Sequence, residues 1–196
     1  LQALYEVSAF LAQTNDLKAM GAGFCERVRK LMKADAIALR WSGDDQSRYL
    51  ILASDQFPHQ LQEEERCLRA GICACGNLEP DARTRVIPII SSDIAPLQHC
   101  TRVGFENLIS VPIRLHQKLL GEIDLFFKRD VTLSVEEHEL VDTLATQLAS
   151  AIEGLRAVAL EREAAISGER AFLARELHDS IAQALAFLKI QVQLLR

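Results

Sequence analysis

Residues 104–152 read GFENLISVPIRLHQKLLGEIDLFFKRDVTLSVEEHELVDTLATQLASAIE, and this stretch decides the fold. Two apolar runs within it, at 107–115 and 119–127, are rich in β-branched and aromatic residues and predict strands. Only three polar residues separate them, which predicts an antiparallel hairpin. Ser134, followed three residues later by Glu137, forms the pattern of a helix-capping box, so a helix is predicted to follow the hairpin.

The residues before this stretch predict the rest of an antiparallel sheet. Strand-like runs occupy 36–42, 49–54 and 86–90, and Gly43-Asp44-Asp45 predicts a turn that joins the first two as a hairpin. Pro88 and Pro112 cannot donate a backbone hydrogen bond. Each is therefore expected at a sheet edge or at a strand irregularity.

Two helices are predicted to cover this sheet. Apolar residues three to four apart occupy 1–13 and 17–33, and the second helix has Asn15 or Asp16 as its cap. Residues 58–84 form a polar stretch without clear periodicity, expected to provide a pocket wall or lid. The predicted fold class is α+β, an antiparallel sheet flanked by helices.

The last third of the chain predicts one long helix, because no proline occurs after Ser134. Its apolar positions alternate spacings of three and four, which predicts the seam of a parallel coiled-coil homodimer. The seam fades across 162–170, where a hinge or register change is expected. Its positions are Val141, Leu144, Leu148, Ala151, Leu155 and Val158, then Leu173, Leu177, Ile181, Leu185, Leu188, Val192 and Leu195.

Composition and charge exclude several classes of partner. The formal net charge is -5, whereas binding to nucleic acid needs cations clustered on one face, so no nucleic acid partner is expected. No apolar run approaches the roughly 20 residues that cross a bilayer. The five cysteines are an odd number without the spacing of a disulfide framework, which favours a reducing, cytoplasmic compartment.

Four cysteines are candidates for a metal or redox site: Cys67, Cys73, Cys75 and Cys100, the last beside His99. Their spacing fits no standard zinc or iron-sulfur pattern. Cysteine is also common in protein cores as a small hydrophobe, which is the interpretation favoured here. No metal is therefore predicted.

The stretch 169–185, ERAFLARELHDSIAQAL, carries the clearest chemistry. It resembles the phosphoacceptor helix of histidine kinases in the nitrate/nitrite sensor class, through Glu-Leu-His-Asp at 176–179 and Gln183 four residues after the aspartate. On a helical wheel His178 lies at the border of the apolar stripe, while Asp179 and Gln183 lie together farther from it. An isolated His-Asp pair is more often a solvated surface, but the surrounding motif favours the functional interpretation.

This resemblance implies a phosphorelay with ATP as phosphodonor. A nitrogen of neutral His178 takes the γ-phosphoryl group, and Asp179 acts as general base on the proton of the other ring nitrogen. The group then passes to an aspartate of a response regulator, whose phosphoaspartate is hydrolysed by a water that Gln183 positions. Nitrate or nitrite would be sensed by a periplasmic domain, and the chain would be the cytoplasmic segment of an inner-membrane protein.

Residues 104–152 also resemble the C-terminal half of a GAF domain, a sensory fold. The shared features are Gly-Phe at 104–105, Ser-Val-Pro-Ile at 110–113, a glycine-bearing strand and the Ser-x-Glu-Glu that opens the exit helix. The resemblance implies a GAF-like domain over 1–152, a signalling helix over 153–170 and a first dimerisation helix over 171–196. GAF ligands vary widely, and no residue identifies one.

An alternative from a different class is a ligand- or redox-sensing dimeric module whose helix only dimerises and whose His178 is inert. Stoichiometric metal or a reversible disulfide would favour it. A hydrolase using His178 and Asp179 would lack a nucleophile and an oxyanion site in the motif. Under the kinase interpretation, this chain alone is expected to have no autokinase activity, because it carries no ATP-binding domain.

Overall fold

The structure is a computed structural model, and it describes residues 2–42, 48–64, 67–69, 82–89, 98–116 and 118–194. The chain forms two compact units, Leu1–Glu153 and Gly154–Arg196. The helices in the described ranges are α1 (Gln2–Gln13), α2 (Leu17–Met32), α3 (His59–Glu64), α4 (Gln98–Arg102) and α5 (Val135–Leu194). The strands are β1 (Ala36–Ser42), β2 (Arg48–Asp55), β3 (Cys67–Arg69), β4 (Arg85–Pro88), β5 (Asn107–Leu115) and β6 (Lys118–Phe127).

The first unit is built on a six-stranded sheet in the order β3-β2-β1-β6-β5-β4, with every neighbouring pair antiparallel. The two predicted hairpins are confirmed. Pro88 lies on the edge strand β4, and Pro112 lies just before the register shift between Ile113 and Arg114. Both prolines therefore occupy the kinds of position that their missing N–H requires.

One face of the sheet is apolar, because alternate residues of β1, β5 and β6 are aliphatic and buried. Helix α2 packs on this face at Gly21, where an added Cβ would lie 2.9 Å from Cβ of Ala53 and 3.6 Å from Leu39. The carboxylate of Asp16 caps α2 by accepting a hydrogen bond from the N–H of Ala19 at 2.7 Å. A glycine at position 21 thus sets how closely helix and sheet approach.

Gly121 of β6 is the glycine of the glycine-bearing strand, and the close approach of two backbones explains why a glycine stands there. A Cβ at this position would collide with the carbonyl oxygen of Arg40 on the paired strand β1. The two backbones approach so closely that no side chain fits between them.

Helix α5 begins as predicted. The N–H of Ser134 donates to Glu137 Oε2 at 2.9 Å, and the N–H of Glu137 donates to Ser134 Oγ at 3.2 Å, so the capping box is reciprocal. Within the first unit, Ser8 Oγ of α1 donates to Gln147 Oε1 of α5 at 2.8 Å. The first and last helices of this unit therefore lie side by side, as the sequence predicts.

The predicted seam of α5 needs a correction at its N-terminal end. Val141, Leu144 and Leu148 are buried within the first unit, so they pack in the core of that unit instead of facing a second long helix. The helix also continues through 162–170, including Gly168, without a break. Residues 162–170, where the apolar seam fades, are therefore helical.

Three short elements were not predicted, namely α3, β3 and α4. Each has six residues or fewer, too short to show a helical or strand period in the sequence. None of the described helices has a stretch long and apolar enough to cross a bilayer.

Candidate functional site

The second unit carries the predicted phosphoacceptor. His178 and Asp179 lie on α5 with 84% and 79% of their side chains exposed, and His178 Nδ1 lies 3.8 Å from Asp179 Oδ1. This separation is too long for a hydrogen bond but within ion-pair range.

The apolar stripe beside His178 is exposed in this chain. Its large side chains are between 51% and 63% exposed at Leu173, Leu177, Ile181, Leu185 and Leu188. Helical spacing places these residues on one face, with His178 at its border. Such a stripe on a lone helix is the surface that a second helix would bury.

Gln183 is exposed and follows Asp179 by four residues, so the two lie one above the other on the same face of α5. This face points away from the apolar stripe. A macromolecular partner approaching His178 along this face would meet Asp179 and Gln183 together. All three predicted site residues thus lie within two turns of α5.

A group of buried polar residues lies in the first unit, and the sequence interpretation missed it. Arg40 of β1 and Glu122 and Asp124 of β6 are each 0% exposed. Arg40 Nε donates to Asp124 Oδ2 at 2.7 Å and lies 4.0 Å from Glu122 Oε1. Ser110 of β5 donates from Oγ to Glu122 Oε2 at 3.1 Å.

Strand alternation explains why these side chains meet. Arg40 pairs with Glu122 across β1 and β6, and Asp124 pairs with Ser110 across β6 and β5. Directly paired residues share one face of a sheet, so all four lie on the face opposite α2. The charged residues at positions 122 and 124 of an otherwise apolar strand were the sequence signal that could have revealed this buried group.

The buried charges also affect a neighbouring tyrosine. Burial, and secondarily the negative charge of Glu122, raise the pKa of Tyr49 above its usual value. The phenol is therefore neutral at physiological pH. The same face continues into an apolar cluster that includes Ala38, Phe126, Phe105 and Cys100.

Most of the candidate metal or redox cysteines lie outside the described side chains. Cys100 is buried in α4, the side chain of Cys67 in β3 is not described, and Cys73 and Cys75 lie outside the described residues. Among the side chains that the structure describes, no three histidine, cysteine or acidic residues are grouped as metal ligands. Burial, with a smaller effect of Asp55, raises the pKa of the Cys25 thiol to about 12, which makes it unreactive.

Two protein families match separate parts of the chain. The GAF domain family matches residues 16–152, and the histidine kinase family matches residues 169–196, which contain His178, Asp179 and Gln183. The fold agrees with the first match: the GAF domain of a phosphoenolpyruvate-protein phosphotransferase from Coxiella burnetii superposes with a TM-score of 0.70 at 19% identity. That match covers 81% of this chain and 95% of the other.

Two sensor kinases are similar in sequence. Sensor histidine kinase YhcY of Bacillus subtilis is 26% identical over 195 residues, which cover 94% of this chain and 50% of YhcY. Nitrate/nitrite sensor protein NarX of Escherichia coli is 44% identical over 64 residues, which cover 33% of this chain and 11% of NarX. This chain thus spans about half the length of YhcY. It belongs to the GAF domain family, and its residues 169–196 match the histidine kinase family.

Proposed function

We propose that this chain is the signal-relay segment of a two-component sensor kinase, in which His178 accepts the γ-phosphoryl group of ATP and passes it to a response regulator. The observation that carries the proposal is an exposed histidine at the border of an exposed apolar stripe, inside the residues that match the histidine kinase family. ATP is the phosphodonor, held by a separate ATP-binding domain. The GAF domain is the sensory part.

The chemistry follows from the His178–Asp179 pair. One imidazole nitrogen attacks the γ-phosphorus, the bond from phosphorus to the bridging oxygen breaks, and ADP leaves. The ring can act as a nucleophile only if it is neutral, and it must lose the proton on its other nitrogen as the new bond forms. Asp179, at 3.8 Å in the structure, acts as the general base that takes this proton.

Homodimerisation is part of the proposal. The exposed leucines and isoleucine beside His178 would be covered by the same stripe of a second copy, which gives a parallel helix pair. In the pair His178 stays at the edge of the interface, where an ATP-binding domain and a response regulator can reach it in turn. Asp179 and Gln183 then form the rest of the docking surface.

The similarity to NarX suggests the signal. We propose that the complete protein responds to nitrate or nitrite, with this chain on the cytoplasmic side of an inner-membrane sensor. In this arrangement α5 carries the signal as a helix pair with two packing states, biased from upstream or from the GAF domain. Growth-dependent reporter output with and without nitrate would test the signal separately from the phosphorelay.

Phosphoryl transfer tests the central proposal. The protein containing this chain and its ATP-binding domain is incubated with γ-labelled ATP, and a purified receiver domain is then added. We expect an acid-labile, base-stable label on the kinase, as befits a phosphorus–nitrogen bond, followed by its transfer to the receiver. A label that is acid-stable, or no label at all, would contradict the proposal.

Gln183→Ala should separate the two activities of the helix. We expect the rate of kinase labelling to stay within about threefold of the parent, since Gln183 takes no part in the attack on ATP. Loss of phosphoaspartate from the receiver should slow by about 10² or more, as for water-positioning groups in other phosphoryl-transfer enzymes. The labelling rate is read from the label that accumulates on the kinase, and the hydrolysis rate is read from the decay of labelled receiver. Gln191→Ala, at another exposed glutamine of α5, is the matched control.

A further inference from the structure

Arg175 of α5 is the arginine or lysine closest to His178 along the helix. It precedes His178 by three residues, whereas the next basic residues on either side are eight and eleven residues away. Residues three apart in a helix are neighbours, about 60° apart around the axis and about 4.5 Å apart along it. Arg175 lies on the side of His178 that carries Asp179, away from Leu177 of the apolar stripe. It therefore stays accessible when a second helix covers that stripe.

Arg175 is exposed, and its contacts leave most of its hydrogen-bond donors available. Its Nε donates to the carbonyl oxygen of Ala171 at 3.2 Å, which holds the side-chain stem along the helix. A guanidinium has five N–H donors, so the two terminal nitrogens keep four of them for another acceptor. Among the described side chains no carboxylate pairs with Arg175, and Asp179, four residues later, lies within ion-pair range of His178 instead.

Helix geometry directs the imidazole of His178 toward the turn that contains Arg175. Side chains of a helix lean toward its N-terminus, so each residue covers the surface over the preceding turn. A phosphoryl group on the exposed imidazole lies farther out over the same turn. The residues on the same face there are Ala171 and Ala174, which are too small to separate the phosphoryl group from the Arg175 guanidinium.

The charges beside His178 make a cation useful at this position. Phosphoryl transfer places negative charge on three phosphoryl oxygens, and the carboxylate of Asp179 repels them. An arginine offsets this repulsion, and its planar fork of N–H groups matches two phosphate oxygens at once. Donors aimed at oxygens whose charge develops during transfer stabilise the transition state more than the bound nucleotide.

We propose that Arg175 contacts the phosphoryl group as it is transferred to His178, donating from its two terminal nitrogens to phosphoryl oxygens. This role rests on the proposed function and adds a residue to its transfer step. The nitrogen of His178 forms the bond to phosphorus, and Asp179 takes the proton from the ring. Arg175 neutralises charge on the oxygens, and no bond to Arg175 forms or breaks.

Phosphoramidate tests this contact without ATP and without an ATP-binding domain. A ring nitrogen of histidine attacks its phosphorus, the phosphorus–nitrogen bond of the donor breaks, and ammonia leaves as ammonium with the ring proton. The purified chain is treated with phosphoramidate, and mass spectrometry measures the phosphorylation of His178 relative to that of His59, an exposed histidine of α3. In Arg175→Gln we expect this ratio to fall at least about threefold, part of what a charge-assisted hydrogen bond contributes. Arg175→Lys keeps the charge without the fork and should lower the ratio less.

Labelling by ATP relates the contact to the relay. In the protein that includes the ATP-binding domain, Arg175→Gln should lower the maximal labelling rate at least about tenfold, less than the loss of a buried transition-state donor. The KM for ATP should stay within about twofold, because a separate domain holds the nucleotide. Lys189→Gln is the matched control, since it removes an exposed cation about 16 Å along the helix from His178 and should react like the parent.

The two measurements distinguish the contact of Arg175 from the kinase function. A chain that reacts with phosphoramidate in an Arg175-dependent way, in a protein that takes no label from ATP, would contradict the kinase function and leave the contact in place. An unchanged phosphoramidate ratio in Arg175→Gln, or an equal loss in Lys189→Gln, would overturn the contact even if the parent takes label from ATP. Circular dichroism checks that helical content is retained, as expected because glutamine favours helix.

Discussion

Replacing His178 by glutamine is expected to remove all ATP-derived label from a protein in which this chain is joined to its ATP-binding domain. Glutamine keeps a polar side chain and favours helix, but it has no imidazole nitrogen to attack phosphorus. Because 84% of the His178 side chain is exposed, the substitution removes no core packing. The loss of label should therefore occur without a change in helical content, measured by circular dichroism.

His59→Gln is the matched control for this experiment. His59 is an exposed histidine at the start of α3 and lies outside the phosphoacceptor motif. We expect the control to label at the rate of the parent. Label that persists in His178→Gln would show that another residue accepts the phosphoryl group, and the alternative of a regulatory module with an inert His178 would then gain support.

Replacing Arg40 by methionine is expected to lower the free energy of unfolding of the GAF domain by about 3–5 kcal/mol, the cost of removing one partner from a buried ion pair. Methionine matches the length of the arginine stem, so the packing loss is small. The carboxylates of Asp124 and Glu122 would then lie in the core without the guanidinium that now donates to Asp124 at 2.7 Å. Urea denaturation followed by the fluorescence of Trp41, the single tryptophan, would measure the change.

Two further variants make this prediction specific. Lys30→Met removes a cation from the exposed pair with Glu26 and should leave the free energy of unfolding nearly unchanged, because water and salt screen such a pair. Combining Arg40→Met with Asp124→Asn should recover a large part of the loss, since it removes a buried negative charge together with its partner. If Arg40→Met and Lys30→Met destabilise the domain equally, the buried group contributes no more than a surface pair.

The sequence predicts the sheet well where its physical signal is strong. Strands β1 and β5 match the predicted runs 36–42 and 107–115 residue for residue, because β-branched and aromatic residues fill both runs and turn residues bound them. The capping residues Asp16 and Ser134 are also predictable, because their side chains accept hydrogen bonds from backbone N–H groups of the helix that follows. Local chemistry of this kind is visible without tertiary information.

Two errors have a common physical cause. Val141 and Leu148 repeat at a spacing that serves equally for packing in a domain core and for a coiled coil, because periods of 3.5 and 3.6 hardly differ over two turns. Arg40 and Asp124 were missed because a polar residue in a strand usually marks the solvent face. In both cases the sequence predicts which residues share one face of a helix or strand. It does not predict what packs against that face, which depends on the tertiary structure.

The exposed leucines of α5 after Gly154 have a consequence for how this protein behaves on dilution. A single amphipathic helix in water is held mainly by the surface it buries, and without a second helix it buries little. If a second copy covers this stripe, as proposed, the helical content of the second unit and its association with that copy form one equilibrium governed by mass action. The first unit buries its own core, so only the second unit is expected to gain helical content as the protein concentration rises.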